Sequence, residues 1–449
     1  MRRTMLRATV LALLGGLSGL LGGTCLPAHA QENAQASTQA NAANARPPSR
    51  GEYLARAGDC VACHSVRGGK AFAGGLRMGT PMGVIYSTNI TPDPQTGIGS
   101  YSLRDFDRAV RSGIAKDGHR LYPAMPYPSY AKITDEDLRA LYDFFMKEVP
   151  PVSQANKRNE IPWYLRPRWP LAAWDFVFAP DKPYVARQDH DAAWNRGAYL
   201  VEGLGHCGAC HTPRGFAFQE KALDAGDTAF LRGAELDAWS APNLRGDLRT
   251  GLGGWSEDDI VTLMKTGHNN RATVFGSMLD VINNSTPYLS DQDLHAMAVY
   301  LKSLPATAQQ TAFAYDDATA QGLRSNKPRS AGAALYLGAC GACHGADGKG
   351  QPPFMPPLAG NPAVLDGNPA SLINLVLNGA EPLVPKGVPD AYRMPQFRLQ
   401  FTDEQIGQVL SFVRGAWGND AAAVTTEQVR KLQPVTDPSS DRVLVLKMR

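Results

Sequence analysis

Three copies of one five-residue pattern carry the most specific chemistry in this sequence. The pattern Cys-x-x-Cys-His occurs at residues 60–64, 207–211 and 340–344, whereas composition alone predicts roughly 0.002 occurrences. One helical turn separates the two cysteines, so both thiols face the same edge of a planar cofactor and the next histidine reaches its metal. This is the attachment signature of covalent haem c. The predicted thioether residues are Cys60, Cys63, Cys207, Cys210, Cys340 and Cys343, and the predicted iron ligands are His64, His211 and His344.

A zinc site or a redox dithiol explains these cysteines less well. A zinc cluster needs two such pairs brought together, but successive patterns begin 147 and then 133 residues apart. A thioredoxin-like dithiol requires neither the following histidine nor a threefold recurrence. Haem attachment is therefore the predicted role of all three patterns.

The residues around each pattern predict the helices that position it. A short helix leads into each pattern, at 50–54, 196–200 and 332–337. A second helix follows at 102–111, 256–265 and 371–378, in each case with a glycine just past its end. At the start of the first two of these helices, a serine is followed three residues later by an aspartate, as in a capping box. A last helix begins after Thr134, Ser290 and Thr402.

These signals predict an all-α fold of three tandem domains, each similar to a class I cytochrome c and holding one covalent haem. About 100 residues build only a modest core, which a haem would fill. The predicted segments are a signal peptide at 1–30, a disordered leader at 31–48, domains at 49–150, 196–305 and 331–420, a Trp- and Pro-rich connector at 151–195, a linker at 306–330 and a tail at 421–449.

Charge and hydropathy restrict the possible partners. The predicted signal peptide holds three arginines and no acidic residue, so removing it leaves 42 basic residues against 42 acidic ones. This balance gives no reason to expect a nucleic acid partner. No later run of 18 apolar residues is present, so no transmembrane helix is predicted. The signal peptide also contains Cys25, which leaves only the six pattern cysteines in the exported chain.

The connector is the most aromatic stretch of the sequence. It contains four of the seven tryptophans, interspersed with proline and arginine. Such a strip is typical of a docking surface for a protein partner or a membrane interface. The alternative, which we favour slightly from the sequence, is that the connector packs on its own domains.

The sixth iron ligand decides between electron transfer and chemistry at the iron. A methionine occurs in a comparable place in each predicted domain, hereafter called a unit, shortly before its last helix. These residues are Met125, Met278 and Met394. Methionine raises the haem potential and leaves no open position for a substrate. Proline follows Met125 and Met394 and stiffens those two loops, but it does not follow Met278. Other candidates are Met78, Met82 and Met355, and core packing is the alternative for every methionine.

Several longer strings make the sequence similar to a known family. They are residues 86–94 (YSTNITPDP), 122–127 (YPAMPY), 194–201 (WNRGAYLV), 205–215 (GHCGACHTPRG) and 357–362 (PLAGNP). The sequence resembles the triheme cytochrome c subunit of bacterial membrane-bound alcohol, gluconate, sorbitol and related aldose dehydrogenases, over essentially the whole exported chain. In that family the methionines that match Met125, Met278 and Met394 are the sixth ligands.

The resemblance also implies partners and a location. A catalytic subunit carrying pyrroloquinoline quinone (PQQ) or FAD would oxidise an alcohol or sugar on the periplasmic side of the cytoplasmic membrane. Electrons would pass through three haems to ubiquinone, and a third small subunit is a further candidate partner. Some relatives end in an apolar anchor, whereas residues 443–449 here are too short to span a bilayer, so peripheral attachment to the membrane surface is expected.

Two other functions remain open from the sequence. In the first, the chain is again an electron-transfer subunit, but its catalytic partner is a molybdenum-containing aldehyde or heterocycle dehydrogenase. In the second, the chain is itself a multihaem enzyme, such as a peroxidase, which requires one haem iron without a sixth protein ligand. The sequence has no dinucleotide fingerprint after a strand and no nucleophile elbow, so we expect no substrate chemistry of its own.

Overall fold

Helices form most of the chain that the computed structural model describes, which comprises residues 46–438 except 181, 237, 382 and 391. The predicted signal peptide, residues 31–45 of the leader and residues 439–449 of the tail lie outside the described residues. Within the described ranges, no helix is both long enough and apolar enough to cross a bilayer.

The first unit has its capped helices where the sequence predicts them. Its helices are α1 (Arg50–Ala57), α2 (Cys60–Cys63), α3 (Leu103–Ser112), α4 (Tyr127–Tyr130) and α5 (Asp135–Lys147). A capping box between Ser102 and Asp105 begins α3, and Gly113 ends it with a φ of 63°. The Thr134 hydroxyl accepts from the backbone N–H of Asp137 and begins α5. These caps satisfy backbone groups that a helix end leaves unpaired.

The second unit repeats this order. After α6 (Pro170–Phe178) in the connector come α7 (Ala192–Ala198), α8 (Gly208–His211), α9 (Glu257–Thr266), α10 (Met278–Asn284) and α11 (Asp291–Ser303). A capping box of Ser256 and Asp259 begins α9, and Ser290 caps α11. A π-helix at Tyr199–Leu204 continues α7. It accommodates one more residue before the first cysteine than the first unit has.

The third unit and the tail complete the helical order. Their helices are α12 (Ala318–Arg324), α13 (Ala331–Ala339), α14 (Gly341–His344), α15 (Pro362–Leu365), α16 (Ala370–Asn378), α17 (Asp403–Gly415) and α18 (Thr426–Leu432). At the predicted start of α17, Thr402 forms a capping box with Gln405. In contrast, α16 begins after Pro369 without a side-chain cap, and Ser371 lies inside the helix.

A glycine lets the first helix of each unit cross its last helix at close range. A β-carbon on Gly51, Gly197 or Gly332 would lie 2.0–2.2 Å from a backbone carbonyl oxygen of the facing helix. Those oxygens belong to Ala140, Ala296 and Gln408. No side chain fits in such a gap, so the three glycines fix the same helix crossing three times.

Two short antiparallel hairpins interrupt the predicted all-α fold. In the first unit β1 (Arg77–Thr80) pairs with β2 (Gly83–Tyr86), and in the second β3 (Ala234–Leu236) pairs with β4 (Trp239–Ala241). Both follow a haem pattern by 13 to 23 residues. The fold is therefore mainly helical, as predicted, with a hairpin in each of the first two units.

The first two units share one hydrophobic core, while the third has its own. A single cluster of buried side chains runs from Leu54 in α1 to Leu304 after α11. It includes Phe145 of the first unit and Tyr300 of the second. A separate cluster around Trp417 belongs to the third unit. The first two units therefore pack as a pair.

The β3–β4 hairpin connects this pair to the third unit. The buried Ser371 hydroxyl accepts from the backbone N–H of Ser240 at 2.8 Å and donates to its carbonyl at 3.0 Å. The Ser240 hydroxyl donates to Asp366 at 2.6 Å. An ion pair between Arg249 and Asp420 adds a second connection.

The connecting segments pack on the units in part. The first part of the connector lies on the first unit, where Val152 O accepts from Asn89 and Ile161 is buried. The linker predicted at 306–330 includes α12, whose Leu323 is buried in the third core. In the tail, Val429 of α18 is buried in the same core. The second part of the connector, around α6, leaves aromatic side chains exposed.

Candidate functional site

Each Cys-x-x-Cys-His pattern forms a one-turn helix directly after the first helix of its unit. These helices are α2, α8 and α14. The six pattern cysteines are free thiols, so no disulfide competes for them. Two thiols on one helical turn, followed by an imidazole, match the donor set that covalent haem requires.

The environment of the thiols fits a thioether bond better than a zinc site. Burial raises the pKa of Cys60, Cys63 and Cys207 to about 12, and that of Cys340 to about 11. Burial therefore disfavours the thiolate form of these four cysteines, which is the form that binds zinc. Among residues 46–438, with the gaps given above, no group of three His, Cys, Asp or Glu side chains is arranged to hold a metal ion.

A backbone carbonyl orients each pattern histidine. The Nδ1 atoms of His64, His211 and His344 lie 2.7, 2.8 and 3.2 Å from the carbonyl oxygens of Thr88, Pro242 and Pro356, respectively. A carbonyl only accepts, so Nδ1 carries the proton and Nε2 keeps its lone pair for a metal. Burial also lowers the pKa of all three imidazoles, which favours the neutral form that ligates iron.

A glycine in the left-handed region anchors the loop behind each histidine. Gly74, Gly233 and Gly350 have φ values of 72°, 94° and 61°. Their backbone N–H groups donate to the carbonyls of His64, His211 and His344 at 2.7, 2.7 and 3.0 Å. The glycines follow the histidines by 10, 22 and 6 residues, so no fixed spacing revealed them in the sequence. They are site residues that the sequence analysis missed.

Two of the three candidate methionines lie in irregular segments, as predicted. Met125 is in a bend and packs against the shared core of the first two units. Met394 packs against the third core, and its carbonyl accepts from Ala380 N–H just after α16. The prolines after Met125 and Met394 keep both segments from joining a helix.

The third candidate differs from its predicted setting. Met278 is the first residue of helix α10 rather than part of a loop, and it packs beside Val274 and Leu383. No proline follows it, so the helix continues. Helix α10 also lies beside α2 of the first unit. Among the rival methionines, Met78 is buried in a small cluster with Ile85, which is a core position.

The first two patterns lie close to each other. The Tyr130 hydroxyl of the first unit donates to Gly58 O at 2.9 Å, and its ring meets His206 of the second unit edge-on at 5.5 Å. The Cys210 thiol of the second pattern is among the groups that raise the pKa of Cys63 in the first, although burial is the larger cause. The pairing of the two units therefore brings their haem patterns together.

The residues of each pattern fit haem c, and comparison with known proteins places the chain among the cytochromes c. The cytochrome c family matches residues 48–147 and 330–417. The gluconate 2-dehydrogenase cytochrome c subunit of Pantoea cypripedii is 53% identical over 391 residues, which cover 86% of this chain and 89% of the relative.

Two alcohol dehydrogenase (quinone) cytochrome c subunits are also similar. That of Gluconacetobacter polyoxogenes is 50% identical over 397 residues, covering 87% of this chain and 85% of the relative. That of Gluconobacter oxydans strain 621H is 48% identical over 396 residues, covering 87% and 83%. The resemblance predicted from the sequence is thereby confirmed. The chain belongs to the family of cytochrome c subunits of gluconate and alcohol (quinone) dehydrogenases.

Proposed function

We propose that this chain carries three covalent haems and transfers electrons from a catalytic dehydrogenase subunit to ubiquinone. The observation that carries the proposal is the threefold repetition of one arrangement, a pattern histidine whose Nδ1 donates to a backbone carbonyl. His64, His211 and His344 all have it. The relatives named above are cytochrome subunits of dehydrogenases, which supports the electron-transfer role.

The second unit supports a count of three haems. The cytochrome c family matches residues of the first and third units only. However, the second unit has the same crossing glycine, Gly197, the same anchoring glycine, Gly233, and the same histidine contact, from His211 to Pro242. We therefore assign it a haem on Cys207 and Cys210, in addition to those on the other two units.

Haem supplies a one-electron carrier whose potential depends on its axial ligands. On our proposal the iron ligands are His64 with Met125, His211 with Met278, and His344 with Met394. The chain itself keeps the three imidazoles neutral and oriented through the contacts of their Nδ1 atoms with backbone carbonyls. A sixth ligand from methionine would exclude substrates from the iron.

The remaining partners follow from the relatives' names and from the sequence. The catalytic subunit would carry PQQ or FAD and oxidise an alcohol, sugar or sugar acid. The word quinone in two relatives' names supports ubiquinone as the acceptor. Export to the periplasmic side and peripheral attachment to the cytoplasmic membrane follow from the signal sequence and the resemblance. A third small subunit completes the proposed complex.

The test is to purify the chain from its native membranes in mild detergent with whatever remains bound. We expect a large companion with PQQ or FAD, and reduction of all three haems when gluconate, an alcohol or a sugar is added. Molybdenum in the companion would instead favour an aldehyde or heterocycle dehydrogenase. Appreciable carbon monoxide binding to the native reduced protein would favour a multihaem enzyme with an open iron.

A further inference from the structure

Helix α6 of the connector has two apolar sides, and only one of them is covered. Leu171, Trp174 and Phe178 recur at helical spacing and are partly buried, and the buried Asp175 lies among them. A helix that is apolar all round is normally buried on every side. The second side of α6 therefore lacks the cover that such a helix usually has.

The inner side is firmly attached to both paired units. The Asp175 carboxylate accepts from the Tyr127 hydroxyl at 2.6 Å and forms an ion pair with Arg120, both in the first unit. The indole N–H of Trp174 donates to Ala217 O in the second unit at 2.9 Å. These contacts fix which side of α6 faces outward.

The outer side presents large apolar side chains to solvent. Trp169 is 79% exposed, and Phe176, two turns further on, is 92% exposed. The adjoining Val177 is 65% exposed, and Trp163, just before the helix, is 77% exposed. Phe216 of the second unit is 92% exposed, and its ring centroid lies 6.4 Å from that of Phe178. We call Trp163, Trp169, Phe176, Val177 and Phe216 the aromatic strip.

The charge around the aromatic strip is positive. Residues 151–180 contain four basic residues, Lys157, Arg158, Arg166 and Arg168, and two acidic ones. Of the acidic residues, Asp175 is buried on the inner side and Glu160 accepts a hydrogen bond from Tyr86. Arg158 and Arg166 are exposed. An apolar surface bordered by exposed arginine side chains complements a layer of lipid tails beneath anionic phosphates.

We propose that the aromatic strip seats this chain on the surface of an anionic phospholipid bilayer, with α6 lying in the interface and not crossing it. Tryptophan and phenylalanine with flanking arginine are typical of such interfacial helices. The inference rests on the proposed function in one respect, since a quinone acceptor dissolved in the membrane requires the chain to lie there. It goes further by naming the surface and the lipid chemistry.

The test measures flotation of the haem-loaded full chain with vesicles of phosphatidylethanolamine and phosphatidylglycerol. We expect binding that weakens in high salt and in vesicles of phosphatidylcholine alone. The triple variant Trp163→Ser, Trp169→Ser, Phe176→Ser should lower the partition coefficient at least tenfold. The matched control is Leu399→Ser, which removes a side chain that is 90% exposed in the third unit. It should leave the partition coefficient unchanged.

Unchanged vesicle binding by the triple variant would overturn the proposal. If that variant also loses the companion dehydrogenase from the purified complex, the aromatic strip is a protein interface instead. Substrate-driven haem reduction with a water-soluble acceptor tests the proposed function separately, because that assay needs no membrane. Its failure in the native complex would reject electron transfer and leave the lipid result standing.

Discussion

The Tyr199 hydroxyl of the second unit donates to Asp137 Oδ2 of the first unit at 2.7 Å. The reverse contact is also present, because the Tyr53 hydroxyl of the first unit donates to Asp293 of the second at 2.6 Å. Within each unit the same aspartate pairs with its own arginine, and these arginines are Arg50 and Arg196. The two units thus exchange equivalent hydrogen bonds, as in a two-fold symmetric pair.

This exchange does not extend to the third unit. The positions that match the arginine and the tyrosine are Ala331 and Ala334, and Gln405 stands where the aspartate would be. The third unit instead meets the second through Ser371 and the β3–β4 hairpin. The side chains that pair the first two units are therefore absent from the third unit.

Removing one exchanged hydroxyl should loosen the pair. Tyr199→Phe leaves Asp137 Oδ2 buried without its phenol donor, and we expect a loss of about 1–3 kcal/mol in the free energy of unfolding. Urea unfolding of the haem-loaded protein measures it. Tyr164→Phe, at an exposed position, is the control. Equal stability of the two variants would contradict the assigned role of Tyr199.

The exchange also predicts a dependence of stability on pH. Burial alone raises the pKa of Asp293, but hydrogen bonds from Arg196 and Tyr53 outweigh burial and leave that pKa below its usual value. The stability from this carboxylate is therefore complete above the unfolded pKa of about 4 and falls as the pH drops further. The stability difference between the native protein and Asp293→Asn should shrink from pH 5 to pH 3 in urea titrations. A difference that stays constant or grows would refute this assignment.

The crossing glycines can be tested within a single helix. Gly332→Ala places a β-carbon 2.2 Å from Gln408 O, so α13 and α17 must separate, and we expect a loss of about 1–3 kcal/mol. Gly338→Ala in the same helix meets no atom within 4 Å and should stabilise it by up to about 1 kcal/mol. Thermal unfolding distinguishes the two. Similar effects of both substitutions would show that the crossing tolerates a side chain.

The proposed methionine ligands can be separated from core methionines by a substitution that preserves volume. Met125→Leu should let the reduced protein bind carbon monoxide at one haem, because leucine offers no sulfur to the iron. Met278→Leu and Met394→Leu should each do the same. Met297→Leu, at a buried position of α11, is the control and should bind none. Absorption spectra in carbon monoxide give the readout. A Met278→Leu variant that binds none would remove Met278 from the ligand set.

Local signals in the sequence predicted the local structure. The one-turn helices of the Cys-x-x-Cys-His patterns, the capping box at Ser102 and the cap at Thr402 each depend on residues within one or two helical turns, and all were found as expected. Contacts between distant residues were not predicted. Tyr53 and Asp293 are 240 residues apart, and only the packing of two units brings them together. The helix at Met278 was missed because its loop position was inferred from the other two units.

The exposed side of α6 was only partly predicted. The aromatic content of the connector indicated either docking or packing, and the structure shows packing in one part and exposed aromatic side chains in another. Ile161 and Trp194 are buried, while Trp163 and Trp169 are exposed. Periodicity alone could not predict which side of α6 is covered, because both sides of that helix are apolar.

The most direct test of the central claim is a coulometric titration of the native complex. Substrate of the companion dehydrogenase is added without oxygen, and the electrons taken up by the haems of this chain are counted by absorption. We predict three electrons per chain, with no carbon monoxide binding to the fully reduced protein. Two electrons, or haems that the substrate cannot reduce, would contradict a three-haem electron-transfer subunit.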